Sequence, residues 1–138
     1  MKIILICLTC SILLSSCMPK PDKAFSLIDE FLQLRLQKDY TRMYALFHPM
    51  FVKNNPYESF FYQEELYAKK FGPMVKYNVK RSSWRKNISC GPSSGKMLAV
   101  ITDIMYKKGH TEETFTIIKR NGNWKIFDYY LRPIHIDY

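Results

Sequence analysis

One break in hydrophobic period, at Gly72-Pro73, divides this chain into two kinds of structure. Before it, apolar side chains recur at the spacing that gathers them on one face of a helix. After it they alternate with polar ones, as in a strand with one face in solvent. A segment with one period cannot be folded as the other without turning half its apolar groups to water. Helices first and an antiparallel sheet afterwards is an α+β order.

Each half carries its own punctuation. Asp22 can cap a helix running through Lys38, with Ala24, Leu27, Ile28, Phe31, Leu32 and Leu34 as its apolar face. Asp39 reads as a second N-cap, and Tyr40, Met43, Tyr44 and Phe47 repeat at helical spacing until Pro49 stops the run. Asn55-Pro56-Tyr57-Glu58 predicts a third helix start. The asparagine would accept from first-turn amides, the proline would stand at N1, and the glutamate would reach back from N3. That helix should end at Phe71, with Gly72 as its left-handed cap and Pro73 barring continuation.

Beyond the break, Val75, Tyr77 and Val79 alternate with Lys76, Asn78 and Lys80, which predicts a half-solvated strand. Met97 to Tyr106 is apolar on both alternating faces apart from Thr102 and Asp103, as suits a central strand. Gly91-Pro92-Ser93-Ser94-Gly95 reads as a hairpin loop. Glu113 to Lys119 and Trp124 to Leu131 flank Arg120-Asn121-Gly122-Asn123. Asn-Gly favours a type I′ turn, which needs positive φ at both central residues. A two-residue turn there predicts that Lys119 faces Trp124, Ile117 faces Ile126 and Phe115 faces Asp128.

The first residues carry an address. Lys2 precedes an apolar run from Ile3 to Leu14 that is relieved only by Thr9 and Ser11. A charged start followed by an apolar core of roughly 7–15 residues is the layout of a secretory signal. A spanning helix needs about 20 apolar residues, and this run meets Pro19, Lys20 and Pro21 first. Leu14-Ser15-Ser16-Cys17 resembles the bacterial lipobox. The resemblance implies cleavage after Ser16, a thioether-linked diacylglycerol on Cys17 and a further acyl chain, such as palmitate, on its amine. Two or more chains give stable membrane anchoring. Met18 stands where aspartate would signal inner-membrane retention, so the implied address is the outer membrane, facing the periplasm. The organisation that follows is a signal peptide at 1–16, a lipidated tether at 17–22 and one α+β domain at 23–138.

Within that organisation Cys7 and Cys10 leave with the signal and Cys17 is lipidated, so of the four cysteines only Cys90 remains. No intramolecular disulfide framework is expected. His48, His110 and His135 are far apart with no paired carboxylate or cysteine motif beside them, so neither a metal nor another cofactor is expected. Charge is uneven: residues 17–75 carry a net of +1 and residues 76–138 a net of +7. Lys76, Lys80, Arg81, Arg85 and Lys86 make the predicted basic surface. An exported lipoprotein rarely meets nucleic acid, which leaves an acidic protein partner or an anionic envelope polymer for that field, or simply a solvated face.

Three segments together resemble the nuclear-transport-factor-2-like superfamily, a cone in which N-terminal helices pack over a curved sheet. They are Asp39-Tyr40-Thr41-Arg42-Met43-Tyr44-Ala45-Leu46-Phe47, Glu113-Thr114-Phe115-Thr116-Ile117-Ile118-Lys119 and Gly122-Asn123-Trp124-Lys125-Ile126-Phe127-Asp128-Tyr129-Tyr130. The resemblance implies N-terminal helices on a curved antiparallel sheet of about four strands. It fixes no activity, because that superfamily holds enzymes, transport factors and scaffolds.

For chemistry the sequence offers Asp128 as its leading candidate. In the expected register it shares a face with Phe115, Ile117, Trp124, Ile126 and Tyr130, where a carboxylate must be paired or protonated. Such a residue could serve an isomerase- or dehydratase-like pocket as acid and base, or act as a structural carboxylate. Asp103 is open to the same two readings. Gly91-x-x-x-Gly95-Lys96 is one residue short of a phosphate loop and is followed by Met97. Phe60, Phe61, Tyr62 and Tyr67 are expected to pack helix against sheet. The expected function is a membrane-tethered, non-enzymatic binding or assembly module. The alternatives are a small-pocket enzyme using Asp128 and a self-associating homodimer that buries apolar strand faces.

Overall fold

The chain changes character where its hydrophobic period does: among the described residues four helices come first and four strands follow. The computed structural model describes residues 22–86 and 95–137. The 1–16 signal with Ser16, Cys17 with tether residues 18–21, Cys90 and the 91–94 part of the expected loop lie outside the described residues.

Helix α1 (Asp22–Leu36) buries the six apolar side chains that its period selects. It stops two residues short of the expected Lys38. Lys38 takes a left-handed φ of 56°, its amide donates to the Arg35 carbonyl, and the Asp39 amide donates to the Leu34 carbonyl. That pair of bonds is a Schellman closure, here with lysine where glycine is usual. Asp39 then caps α2 (Tyr40–Ala45) by accepting from the Arg42 amide, as expected.

Pro49 does not merely end a helix. It opens a one-turn helix, α3 (Pro49–Asn54), whose N-cap is His48. Proline at N1 is read correctly only when the preceding cap is recognised, and histidine is not a usual cap. The extra turn also changes the start of α4 (Tyr57–Phe71). Asn55 is taken up as the C-cap of α3, and its Nδ2 donates to the Phe51 carbonyl at 2.9 Å. Pro56 therefore precedes α4 as its N-cap, with no side-chain cap bond. The other end falls at Phe71 as expected, and Gly72 has the positive φ of 72° that favours glycine, although with an extended ψ of -167° and not the αL value.

Strands β1 (Met74–Lys86), β2 (Lys96–Tyr106), β3 (Gly109–Arg120) and β4 (Asn123–Ile136) form an antiparallel meander in chain order. Asn121 and Gly122 both have positive φ, so the Asn-Gly turn forms as its residues demand. Gly109 is required for a different reason: a Cβ there would stand 2.7 Å from the His135 carbonyl oxygen.

Register shifts within β1 and β4 overturn two expectations. A bulge between Met74 and Lys76 turns Val75 outward, where it is 67% exposed. The edge position leaves Val79 exposed as well. In β4, Ile117 pairs with Ile126, but Thr116 pairs with Asp128 and Phe115 with Tyr129. One extra residue at Phe127 thus moves Asp128 to the outer face and puts Tyr129 on the inner one. The chain at residues 46–48 pairs with β4 here: the His48 amide donates to the Ile126 carbonyl at 2.8 Å, and the Ile126 amide to the Leu46 carbonyl at 3.0 Å.

The main core lies between the helices and the inner sheet face. Phe31, fully buried, meets Phe115 at 5.3 Å, Phe47 at 5.7 Å and Tyr129 at 5.5 Å between ring centroids. These edge-to-face and tilted arrangements are the ones ring quadrupoles favour. No helix among the described residues is long and apolar enough to cross a membrane.

Candidate functional site

Three charged residues sit inside this apolar interface: Arg35 in the last turn of α1, Glu64 on α4 and Glu113 on β3. Their side chains are 9%, 2% and 0% exposed, which makes their pairing obligatory. The Arg35 guanidinium grips Glu64 side-on, with Nε to Oε2 at 2.9 Å and Nη2 to Oε1 at 3.2 Å. Nη1 donates to Glu113 Oε2 at 2.8 Å and Oε1 at 3.1 Å, and to the Tyr106 hydroxyl at 3.0 Å. Nη2 also donates to the Tyr129 hydroxyl at 2.5 Å. All five N–H groups of the guanidinium are therefore engaged.

Both tyrosines pass the polarity on. Tyr106 donates to Glu113 Oε1 and Tyr129 to Glu113 Oε2, each at 2.8 Å. Thr111 adds a third hydroxyl, to Oε1 at 3.1 Å. Burial raises both tyrosine pKa values, despite the opposing pull of Arg35, so the phenols remain donors. Burial alone would lower Arg35; Glu113 and then Glu64 outweigh it and hold the guanidinium above its ordinary value. Among the described residues Glu64 has only Arg35 as hydrogen-bond partner, and burial pushes its pKa up against that pull. The cluster ties α1, α4, β2, β3 and β4 together through directed bonds, and among the described residues no buried side-chain polar atom lacks a partner.

Beside the cluster is a cleft of about 190 Å³. Glu64 and Tyr40 form its buried part, and Leu36 and Lys38 its exposed rim. Tyr67, Met74 and Tyr106 line it too. Burial, and next the neighbouring Glu64, raise the Tyr67 pKa. Of the four α4 aromatics expected to pack helix against sheet, Phe60 is buried in the core with its ring against Tyr44 and Phe47, Phe61 and Tyr62 are exposed, and Tyr67 lines this cleft.

The residues singled out from sequence lie elsewhere. Asp128 is exposed, and its Oδ1 accepts from the Tyr129 amide. It borders a shallow depression with Met50, Phe51, Asn54, Asn55 and Phe127, outside the covered inner face. Lys80 is not a free cation: Nζ lies 3.0 Å from Glu112 and 3.7 Å from Asp103. Arg132 reaches the same Glu112 at 2.5 Å, so a stripe of mixed charge crosses the outer face. Its members are partly exposed, and such pairs contribute little to stability. Lys76, Arg81 and Arg85 are exposed along β1, and Lys86 ends that strand.

His48, weighed from sequence only as a metal ligand, is a buried polar residue, 8% exposed. Its Nδ1 accepts from the Met50 amide at 3.2 Å, and its ring lies 5.4 Å from that of Phe127. Burial lowers its pKa, and the positive charges of Arg120 and Lys125 lower it further. Nδ1 can cap only while unprotonated. Below the ordinary value of 6.5 the unfolded chain takes up a proton that the folded chain resists, so stability should fall with falling pH. His48→Asn keeps a cap acceptor and removes the titration. Between about pH 7.5 and about pH 5.5 the urea midpoint of the parent should drop more than that of the variant. Equal drops would remove His48 from the pH response.

No protein-family model, no curated protein and no solved structure matches this chain.

Proposed function

We propose that this chain is a lipid-anchored envelope protein whose helix-on-sheet domain is a non-enzymatic binding module. The observation that carries the binding reading is the cleft. Its wall is largely apolar and aromatic, and at its base Arg35 has every N–H directed at a protein acceptor while Glu64 keeps acceptor capacity toward the cleft. A general acid or base needs a proton-transfer partner within reach of substrate. Glu113 is enclosed by its donors, and Asp128 stands on the opposite side of the sheet. Small ligands are commonly held in such concave, mostly apolar sites with a few polar groups.

The membrane part of the reading is supported by the pattern Leu14-Ser15-Ser16-Cys17 directly after an apolar run. In this proposal Cys17 carries the lipid, and the short Met18-Pro19-Lys20-Pro21 tether keeps the domain near the periplasmic face of the outer membrane. The exposed Arg81 and Arg85 are suited to an acidic partner or an anionic polymer at that surface. A cone-like wrap of the sheet, as in nuclear-transport-factor-2-like domains, is part of the same proposal. Its support is the set of register shifts in β1 and β4, since bulges bend and twist the strands that hold them.

Intact-mass measurement of the protein recovered from cells tests the anchor. The expected species begins at Cys17, carries a diacylglycerol adduct and sediments with membranes. Cys17→Ala should leave an uncleaved chain without the adduct. A mature protein with an unmodified Cys17 would sink the lipid reading and leave the cleft untouched.

A further inference from the structure

The cleft beside Glu64 presents an asymmetry of hydrogen-bonding capacity. Arg35, the cation nearest its base, has every N–H directed at a protein acceptor and offers nothing to a ligand. Glu64 is the reverse. Each carboxylate oxygen receives one bond from Arg35, and each has room for a second donor. The Tyr67 hydroxyl, on the same wall, makes no hydrogen bond among the described residues. The charge runs the same way, because one guanidinium is shared between two buried carboxylates. The deep end of the cleft therefore has acceptors and a deficit of positive charge.

We propose that this cleft binds a small primary ammonium group, whose N–H donors are divided between the Glu64 carboxylate and the Tyr67 hydroxyl. The inference deepens the binding-module reading and rests on it, independently of the lipid. Size limits the ligand: at about 30 Å³ of liquid volume per water, the cleft holds the equivalent of roughly six waters. Tyr40, Tyr67, Tyr106 and Met74 suit a short alkyl chain behind the cation. Lys38 at the rim does not reverse this preference. Its side chain is 63% exposed, and its ammonium lies 4.0 Å from a Glu65 oxygen, where water and salt screen it. An anion would meet Lys38 only at the mouth and Glu64 at the base.

Calorimetric titration of the protein as recovered from cells, in the same buffer and detergent as a protein-free control, tests the proposal. The probes are n-butylammonium, n-butanol and n-butyrate at matched ionic strength. Butylammonium should bind with a Kd on the order of 1 mM, and the alcohol and the carboxylate about tenfold more weakly or worse. Glu64→Gln should weaken butylammonium by about tenfold. Tyr67→Phe removes a hydroxyl that has no hydrogen-bond partner among the described residues, so it should fold as the parent does and weaken binding by about threefold. Ala68→Leu, which fills the cleft from α4, should abolish it. If butanol or butyrate binds as well as butylammonium, the cationic preference falls and the binding site stands. If none of the three probes binds, the site and the module reading fall together. Undiminished binding to both Tyr67→Phe and Ala68→Leu would place the probe elsewhere and also overturn the proposal.

Discussion

Replacing Arg35 by methionine should reduce folding free energy by about 3–5 kcal/mol, the usual consequence of removing one partner from a buried ion pair. The magnitude follows from what is left behind. Glu64 and Glu113 would remain in the interface at 2% and 0% side-chain exposure without a cation. The Tyr106 and Tyr129 hydroxyls would lose the N–H groups they accept from. Total stabilities of about 5–15 kcal/mol are typical, so the variant should be close to unfolding and its urea midpoint should fall steeply.

The same variant has a pH signature. Without Arg35 the buried Glu64 carboxylate loses its cation, and burial already raises its pKa, so it should hold a proton in the folded state at pH values where the unfolded chain has released it. A folded state that binds more protons gains stability as pH falls. Arg35→Met should therefore recover part of its loss between about pH 7 and about pH 5, whereas replacement of a surface arginine would not. A loss under about 1 kcal/mol, or a loss independent of pH, would mean that the cluster is not a brace.

The cluster was legible in part. Arg35 follows Phe31 by four residues and Ile28 by seven, so it lies on the apolar stripe of its own helix. Glu64 stands four after Phe60 and seven before Phe71, again on the stripe. Glu113 alternates in phase with Phe115 and Ile117. A charge on an apolar face needs a partner, and two acids with one base are an almost balanced set. That they meet each other is a non-local fact, fixed by the tertiary placement of α1, α4 and β3 that brings the three side chains together. Asp128 failed for a smaller reason. Nothing in Ile126-Phe127-Asp128 announces a bulge, and the bonds from residues 46–48 to Ile126 come from a distant part of the chain. One inserted residue exchanged an exposed aspartate for a buried tyrosine. Local features fared better: the apolar face of α1, the end of α4 at Phe71 and the Asn121-Gly122 turn each depend on a few adjacent residues, and each formed as expected.

Phe31→Ala should be nearly as damaging, by about 3–5 kcal/mol, through a different mechanism. Phe31 is completely buried, and its ring meets those of Phe47, Phe115 and Tyr129. Truncation removes transfer free energy and leaves a cavity that α1 and the sheet cannot both close. The Arg35 guanidinium carbon also lies 5.1 Å from the ring centroid, so the aromatic face supports the cation that joins Glu64 to Glu113. At roughly 4 °C per kcal/mol for a domain of this size, the melting temperature should fall by about 12 °C or more. Phe31→Leu keeps most of the volume and should lose only about 1–3 kcal/mol. The pH dependence separates this variant from Arg35→Met. Phe31→Ala keeps every charge paired, so its loss should be nearly constant across the acidic range while that of Arg35→Met shrinks. Parallel pH profiles for the two variants would show that the aromatic packing and the charge brace act as one unit.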